Sequence, residues 1–333
     1  MIRNGAYRPI LRPRRGELTA LARLTPEQAK RVTPIIELEP AADILPLLRE
    51  LRPRTDTVGL DFGQVPEQAA DGFQPLAVAE RLAGLGIAMA PVLRACESSL
   101  RLAAHGQVAR LHLGQAMLRL QPHVDAGNPA EADAVAERML RGAALEPPEV
   151  DLLIDLAETA CAHADEVEER ARRVLRWARG VPWRSVSVAS GAMPPNLDDL
   201  PTDRPVTVGR LDARVCARLG EPGLGYADYG VTSPVRRRGV QQRRQLPTLR
   251  YTAEQEWWIY RWARRGGRAD DRCHDLCRTL VNSAQWPVDG ARFSWGDAEI
   301  ARRARIARGA GSVASWIAWG TSHHISYVLH TMS

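Results

Sequence analysis

Short apolar segments alternate with helical stretches along the first two thirds of the chain. Eight segments have the length and apolar content of strands, and they span residues 7–11, 33–38, 57–62, 87–93, 108–113, 150–156, 184–190 and 225–232. Between them apolar residues recur at helical spacing, as in Leu18, Leu21 and Leu24, and residues 206–220 are predicted to be mostly helical. Strands that alternate with helices form parallel sheets through right-handed crossovers, and strands this continuously apolar are covered on both faces.

The number and spacing of these units predict an α/β fold of the TIM-barrel type. Eight β/α units in about 230 residues match the size of a (β/α)8 barrel. An open doubly wound sheet is the alternative, and a glycine-rich phosphate turn after the first strand would favour it. That turn is RPRRGE, which has one glycine and contains neither G-x-G-x-x-G nor a P-loop. We therefore predict a (β/α)8 barrel over residues 1–234.

The composition of the chain changes after residue 234. Seven of the nine tryptophans lie in residues 235–333, which we predict to be a mainly helical extension packed on the barrel. Most of these tryptophans are expected to form the core of that extension. His323 and His324 are adjacent, so they cannot share one helical face, and we expect packing or hydrogen bonding against the barrel rather than a metal site.

The chain is basic, with a net charge of +6, and nearly all of its positive charge is arginine. Arginine makes forked contacts to phosphate or carboxylate, so the composition favours anionic partners without naming one. No apolar run approaches the length of a membrane helix, the N-terminus lacks the apolar region of a signal peptide, and the five cysteines show no paired framework. We expect a cytoplasmic protein without a membrane partner.

Several stretches together resemble the family called beta protein, found in phages and bacteria. They are YRPILRPRRGELTAL, TPIIEL, GYADYGVTSP, LRYTAEQEWWIYRW and WIAWGTSHHISYVLHTM, and the resemblance runs from Tyr7 to Met332. It implies an association with phage biology or with mobile and defence loci, but it brings no established reaction or ligand. Members of the family usually carry lysines after the first strand, where this chain has Arg12, Arg14 and Arg15.

Charged and polar residues follow the apolar strand segments, and in a barrel the carboxyl ends of the strands meet at one mouth. The candidates for ligand binding are Arg12, Arg14, Arg94, His112 and Asp228, and the candidates for catalysis are Glu37, Asp61 and Asp155. The arginines would bind a phosphate-containing ligand, and a carboxylate would serve as a base or hold a divalent metal. The alternative is that these residues are ion pairs and helix caps at the rim. Whether the chain is an enzyme stays open, and we assign no metal site and no cofactor.

An arginine-rich segment connects the two predicted regions, and it is expected to be exposed and mobile. It contains Arg236, Arg237, Arg238, Arg243 and Arg244, which are the candidates for nucleic-acid binding. Three hypotheses follow. The chain binds an anionic small molecule at the mouth, or it binds nucleic acid through this segment, or it is a catalytically inactive scaffold with a protein partner in a phage or defence assembly.

Overall fold

Eight parallel strands close into a barrel. The structure, a computed structural model, describes residues 7–39, 57–67, 74–236, 246–263, 269–306 and 308–332. The strands are β1 (Tyr7–Leu11), β2 (Ile35–Glu37), β3 (Thr57–Asp61), β4 (Ala88–Arg94), β5 (Ala116–Leu120), β6 (Val150–Glu158), β7 (Ser185–Gly191), β8 (Arg204–Gly209), β9 (Gly225–Asp228), β10 (Thr248–Thr252) and β11 (Glu256–Arg261). Strands β1 to β7 and β9 form the closed barrel in that order, and β9 pairs in parallel with β1. The predicted (β/α)8 barrel is thereby confirmed.

Helices surround the barrel and continue into the C-terminal part of the chain. They are α1 (Arg15–Leu21), α2 (Pro26–Ala29), α3 (Pro75–Ala83), α4 (Ser99–Leu111), α5 (Pro129–Ala143), α6 (Ala164–Ala178), α7 (Leu211–Leu219), α8 (Ala269–Val281), α9 (Trp295–Arg305) and α10 (Val313–Thr331). Several start at a side-chain cap: Ser98, Asn128 and Ser312 each accept a hydrogen bond from a backbone N–H of the first turn. None of the described helices is long and apolar enough to cross a membrane.

The fifth strand is not where the sequence predicted it. Residues 108–113 end helix α4 and its cap, and the strand is β5, which begins at Ala116. Both stretches are apolar and similar in length, but Val108 and Ala109 continue a helix that Ser98 caps. Strand β5 alternates strictly, because Met117 and Arg119 point into the barrel while Leu118 and Leu120 pack against the helices.

A small antiparallel sheet ties the C-terminal part of the chain to the barrel. Strands β10 and β11 form a hairpin, and β11 also pairs with β8. Strand β8 lies between β7 and α7 in the chain but is not part of the barrel. The sequence predicted C-terminal helices but not this sheet. Most of the tryptophans after residue 234 pack on the sheet and its helices, as expected, and Trp262, Trp316 and Trp319 are buried in that cluster.

The barrel interior has an apolar middle between two charged ends. Its middle is filled by Ile10, Ile35, Ala90, Val92, Met117, Leu153, Ala189 and Ala227. At the amino ends of the strands Arg8 forms an ion pair with Asp151 at 3.1 Å and donates a hydrogen bond to Ser187 at 2.6 Å. A buried charge is costly without a partner, and here each buried charged group has one. These pairs fill the barrel interior at the amino ends of the strands. The opposite end contains the larger ionic cluster described below.

Two buried histidine–carboxylate pairs hold the final helix, one to the barrel and the other to α9. His324 Nε2 lies 2.8 Å from Asp228 Oδ2, and Tyr7 donates to Asp228 Oδ1 at 2.9 Å. His323 Nδ1 lies 3.0 Å from Asp297 Oδ2. The adjacent histidines thus point to different partners and are both satisfied. The pair of Asp228 and His324 links β9 to α10, and it holds the pKa of Asp228 at about 2 against the opposing effect of burial.

We predict that His324→Leu lowers the free energy of unfolding by about 3 kcal/mol at pH 7, because it leaves a buried carboxylate without its partner. His330→Ala is the matched control on the exposed face of the same helix, with an expected change within about 0.5 kcal/mol. The contribution of Asp228 is full above its unfolded pKa of about 4 and is lost as the pH falls towards 2. Urea unfolding between pH 3 and 7 should therefore show the difference in unfolding free energy between wild type and His324→Leu narrowing as the pH falls, because the buried Asp228 of the variant lacks His324 and takes up its proton at a higher pH. If His324→Leu and His330→Ala lowered the free energy of unfolding equally, the stabilising role of the Asp228–His324 pair would be contradicted.

Candidate functional site

A single buried arginine occupies the centre of the barrel mouth. Arg119, on β5, is 1% exposed. Its guanidinium donates to Asp155 Oδ2 at 2.7 and 2.9 Å, to Glu37 Oε1 at 2.8 Å and to Asp61 Oδ2 at 2.6 Å. It also donates to the hydroxyl of Tyr229 at 2.6 Å. Side chains from four barrel elements therefore meet at one guanidinium group. It lies among three carboxylates, in the position that a bound cation would otherwise occupy.

Two of the carboxylates around Arg119, those of Asp61 and Asp155, are held ionised. Burial opposes ionisation of Asp61, but the attraction of Arg94 and Arg119 holds its pKa well below the usual range. Burial also opposes ionisation of Asp155, and Arg119 with the Tyr229 hydroxyl lowers its pKa nevertheless. Burial and the neighbouring carboxylates raise the pKa of Tyr229, so its phenol stays protonated and donates to Asp155. These groups are arranged for stable charge pairing rather than for proton transfer at neutral pH.

A second arginine closes the cluster on one side. Arg94 Nη1 donates to Asp61 Oδ2 at 2.9 Å, and Arg94 Nη2 donates to Gln121 Oε1 at 2.8 Å. The amide of Gln121 donates in turn to Asp155 Oδ2 at 2.8 Å. The side chains of strands β3, β4 and β6 are therefore linked through the residue that follows β5. Arg94 is mostly buried, and its charge is paired.

The backbone of β6 bends where its carboxylate enters the mouth. The pairing of β6 with β7 shifts between Asp155 and Glu158, and Ala157 has a positive φ of 54°. Asp155 Oδ1 accepts a hydrogen bond from the Ala157 backbone N–H at 2.9 Å. A non-glycine residue in the left-handed region is strained, and such positions cluster at functional sites. Asp155 is fully buried and points inward by the ordinary alternation of the strand, as Leu153 does, so the irregularity follows the carboxylate.

The rim above this cluster is richer in arginine than in carboxylate. Arg236, in the segment after β9, pairs with Glu37 at 2.9 Å and with Glu39 Oε1 at 3.1 Å. Arg14 Nη2 lies 3.6 Å from the same Glu39 oxygen, and its side chain is 57% exposed. One carboxylate oxygen thus lies between two guanidinium groups at the surface of the mouth.

Two further charged groups lie beside this rim. Arg12 donates to the backbone oxygens of Ser233 and Val235 at 2.8 and 3.1 Å, and burial together with the charge of Arg14 lowers its pKa. Glu17 is 1% exposed, and burial raises its pKa to about 7 against the opposing effect of Arg12 and Arg14. Its Oε1 accepts from the Thr232 hydroxyl at 3.2 Å, while its Oε2 has no hydrogen-bond partner among the described residues.

The structure brings most of the predicted site residues together. Glu37, Asp61, Arg94 and Asp155 share the Arg119 cluster, and Arg12 and Arg14 lie on the rim beside it. Two predictions of position are wrong. His112 caps α4 and accepts from the Met89 backbone at 3.2 Å near the amino end of β4, at the opposite end of the barrel. Asp228 points outward to His324, because its neighbours Ala227 and Tyr229 point inward.

The arginine-rich segment is described only at its first arginine. Arg236 is partly buried and paired with two carboxylates at the mouth. Arg237, Arg238, Arg243 and Arg244 lie outside the described residues. The nucleic-acid role of this segment stays a prediction, and Arg236 belongs to the mouth in this arrangement.

Four mouth residues escaped the sequence analysis: Arg119, Gln121, Tyr229 and Glu39. Arg119 and Gln121 were missed because the fifth strand was placed too early in the chain. The stretch AMLRLQ carries the signal, since an arginine at alternate spacing after Met117 in an apolar strand points into the barrel. Tyr229 follows the same rule after Ala227.

Comparisons with known proteins identify a family but no close relative. Residues 7–330 match the family model described as Beta protein. No curated protein matches the chain. Among solved structures, the biosynthetic arginine decarboxylase of Campylobacter jejuni is 9% identical with a TM-score of 0.39, and the alignment covers 98% of this chain and 55% of that one. This chain therefore spans about half the length of that decarboxylase.

A short-chain dehydrogenase/reductase variant of Serratia marcescens is 11% identical with a TM-score of 0.24, and the alignment covers 70% of this chain and 99% of that one. Neither likeness is close enough to bear on function. The family match is of a different kind, because it runs from the first barrel strand to the last turn of α10. The chain therefore belongs to the Beta protein family.

Proposed function

We propose that the chain binds an anionic, phosphate-containing ligand at the barrel mouth, between the end of β1 and the segment after β9. The observation that carries the proposal is the position of Glu39, whose Oε1 lies 3.1 Å from Arg236 and 3.6 Å from Arg14. A carboxylate between two guanidinium groups has the contacts that a phosphate oxygen makes in an arginine site. Glu39 is therefore a stand-in from the chain itself, and a ligand would displace it.

The Arg119 cluster provides the floor of this site rather than its ligand contacts. Its three carboxylates face the guanidinium groups of Arg94 and Arg119 within the barrel and that of Arg236 on the rim, so their charges balance when the rim arginine is included. A balanced, hydrogen-bonded floor holds the rim in one geometry without attracting or repelling the ligand strongly. The catalytic roles predicted for Glu37, Asp61 and Asp155 do not form part of the proposal, because their oxygens are already engaged.

The accessible positive charge lies on Arg14, with Arg12 and Arg236 behind it. Arg14 is the most exposed of the three, and its 3.6 Å contact to Glu39 is the longest ion pair among the described residues of the mouth. A screened pair of this kind contributes little to stability and is easily exchanged for a ligand. The biological setting that we propose is phage infection or anti-phage defence, which rests on the family resemblance alone.

The test measures, by isothermal titration calorimetry, how tightly the protein binds sulfate and a panel of phosphate-containing ligands. The panel includes nucleotides and a single-stranded oligonucleotide. Arg14→Gln should weaken binding about tenfold, because a forked charged contact contributes about 1.5–3 kcal/mol. Glu39→Gln should strengthen binding severalfold, because it removes the internal competitor. Arg81→Gln is the matched control, since it removes the same charge from an exposed position on α3.

We expect ligand affinity to change in opposite directions in the two variants, falling in Arg14→Gln and rising in Glu39→Gln. If wild-type protein binds no member of the panel, the anion site does not exist and the scaffold hypothesis takes its place. If only the oligonucleotide binds, and Arg14→Gln and Arg81→Gln weaken it equally, general attraction to a basic surface explains the result. Both outcomes would overturn the proposal.

A second prediction concerns pH. Burial raises the pKa of Glu17 to about 7, so the carboxyl is neutral below pH 7 and adds a negative charge beside Arg12 above it. Sulfate keeps the same charge across this range, and its affinity should therefore fall by roughly fivefold from pH 6 to pH 8, which corresponds to about 1 kcal/mol of charge interaction. Glu17→Gln should bind sulfate with the same affinity at both pH values. A pH dependence that survives this substitution would exclude Glu17 as its source.

A further inference from the structure

A second cavity lies on the outside of the barrel, far from the mouth. It has a volume of about 490 Å³ and lies between the carboxyl-terminal halves of α5 and α6 and the turns that follow them. Helices of a β/α barrel run opposite to its strands, so these helix ends lie at the amino ends of the strands. The cavity has the size of a small-molecule site, for which 300–1,000 Å³ is typical.

Two indole rings form an aromatic corner in this cavity. Trp177 and Trp183 both line it, with ring centroids 5.9 Å apart and an angle of 62° between the rings. Both side chains are only partly buried, so they present apolar surface to the cavity. Trp177 is fixed in place because its Nε1 donates to Asp133 Oδ1 at 3.1 Å. These are the only tryptophans before the C-terminal part of the chain.

The rim of the cavity is acidic in a protein that is basic. Asp133, Glu137 and Glu146 line it against a single arginine, Arg141, whereas the chain as a whole carries a net charge of +6. Arg141 pairs with Glu137 one helical turn away, and both side chains are well exposed. Such surface pairs are weak and exchange readily. The charge of the cavity therefore favours a cation, and its walls favour one with an apolar body.

We propose that this cavity binds a small organic cation of the quaternary ammonium class. The face of an indole attracts a cation, and aromatic corners with nearby carboxylates are the usual means of recognising methylated ammonium groups. The positive charge would lie against Trp177 and Trp183, and the carboxylates would balance it from the rim. An anion would be repelled by the three carboxylates, and a neutral apolar molecule would gain nothing from their charge. This site is independent of the anion site at the mouth.

The experiment compares choline with 3,3-dimethyl-1-butanol, which has the same shape without the charge. Nitrogen–proton NMR spectra of the full chain report the nine indole N–H groups separately, and Trp177→Leu and Trp183→Leu assign the two signals of interest. Choline should shift these two signals saturably, and it should bind at least about tenfold more tightly than the neutral alcohol. Tetramethylammonium serves as the probe of the charged group alone.

Glu137→Gln tests the rim without disturbing the fold, because the side chain is exposed. It should weaken choline binding about threefold and leave the melting temperature unchanged, in keeping with the small coupling of a single surface charge. Glu169→Gln on α6 is the matched control, since Glu169 is exposed and pairs with Arg173 outside the cavity. The proposal fails if choline causes no saturable shift of these two indoles, if the alcohol binds equally well, or if both glutamate variants bind choline alike.

Discussion

The buried guanidinium of Arg119 is the interaction on which the mouth of this barrel depends. Glu37, Asp61 and Asp155 lie towards the carboxyl ends of their strands at the same end of a closed barrel, and at low dielectric their carboxylates repel one another strongly. Arg119 touches all three and is itself shielded from water. A buried ion network of this kind adds little net stability compared with an apolar core, but it allows only one arrangement of its members. We infer that it sets the shape of the mouth.

This constraint decides what the rest of the mouth can do. Because Asp61 and Asp155 are engaged by arginines, the exchangeable charges are those of the rim, on Arg14, Arg236 and Glu39. At the opposite end of the barrel, the interior contains the buried ion pair of Arg8 and Asp151. A rigid floor with loosely paired arginines above it is the form of a binding site, which is why the proposed function is recognition rather than proton transfer.

The fold could be predicted from the sequence because seven of the eight predicted strand segments overlap a barrel strand, and their alternation with helical stretches was enough to indicate the barrel. The position of Asp155 could be predicted too, since an acid near the carboxyl end of an apolar strand lies near the mouth. The direction of Asp228 was predictable too, because strand residues alternate and its neighbours are small or aromatic. Its place at the carboxyl end of β9 alone does not bring it into the mouth, because every second side chain of a strand faces the surrounding helices.

Arg119 and the antiparallel sheet could not be predicted in the same way. Two apolar stretches compete for the fifth strand, and local pattern does not reveal that Ser98 starts a helix long enough to include the first of them. The stretch YTAEQEWW contains a short polar turn between two aromatic runs, which is a hairpin signal. The third strand of the sheet, β8, pairs with β11 but lies some 50 residues earlier in the chain. Pairing over that distance depends on the closed barrel rather than on local sequence.

The free energy of unfolding of Arg119→Met, measured in urea at pH 7 and at pH 5, tests the central role of this guanidinium most directly. The substitution keeps a flexible, unbranched side chain inside the barrel and removes the charge and all of its hydrogen-bond donors, so it leaves buried carboxylates without a partner. The account predicts a loss of about 3–5 kcal/mol at pH 7. It also predicts a smaller loss at pH 5, because carboxylates that lose Arg119 have raised pKa values and become neutral as the pH falls. A loss within about 0.5 kcal/mol at both pH values would contradict it.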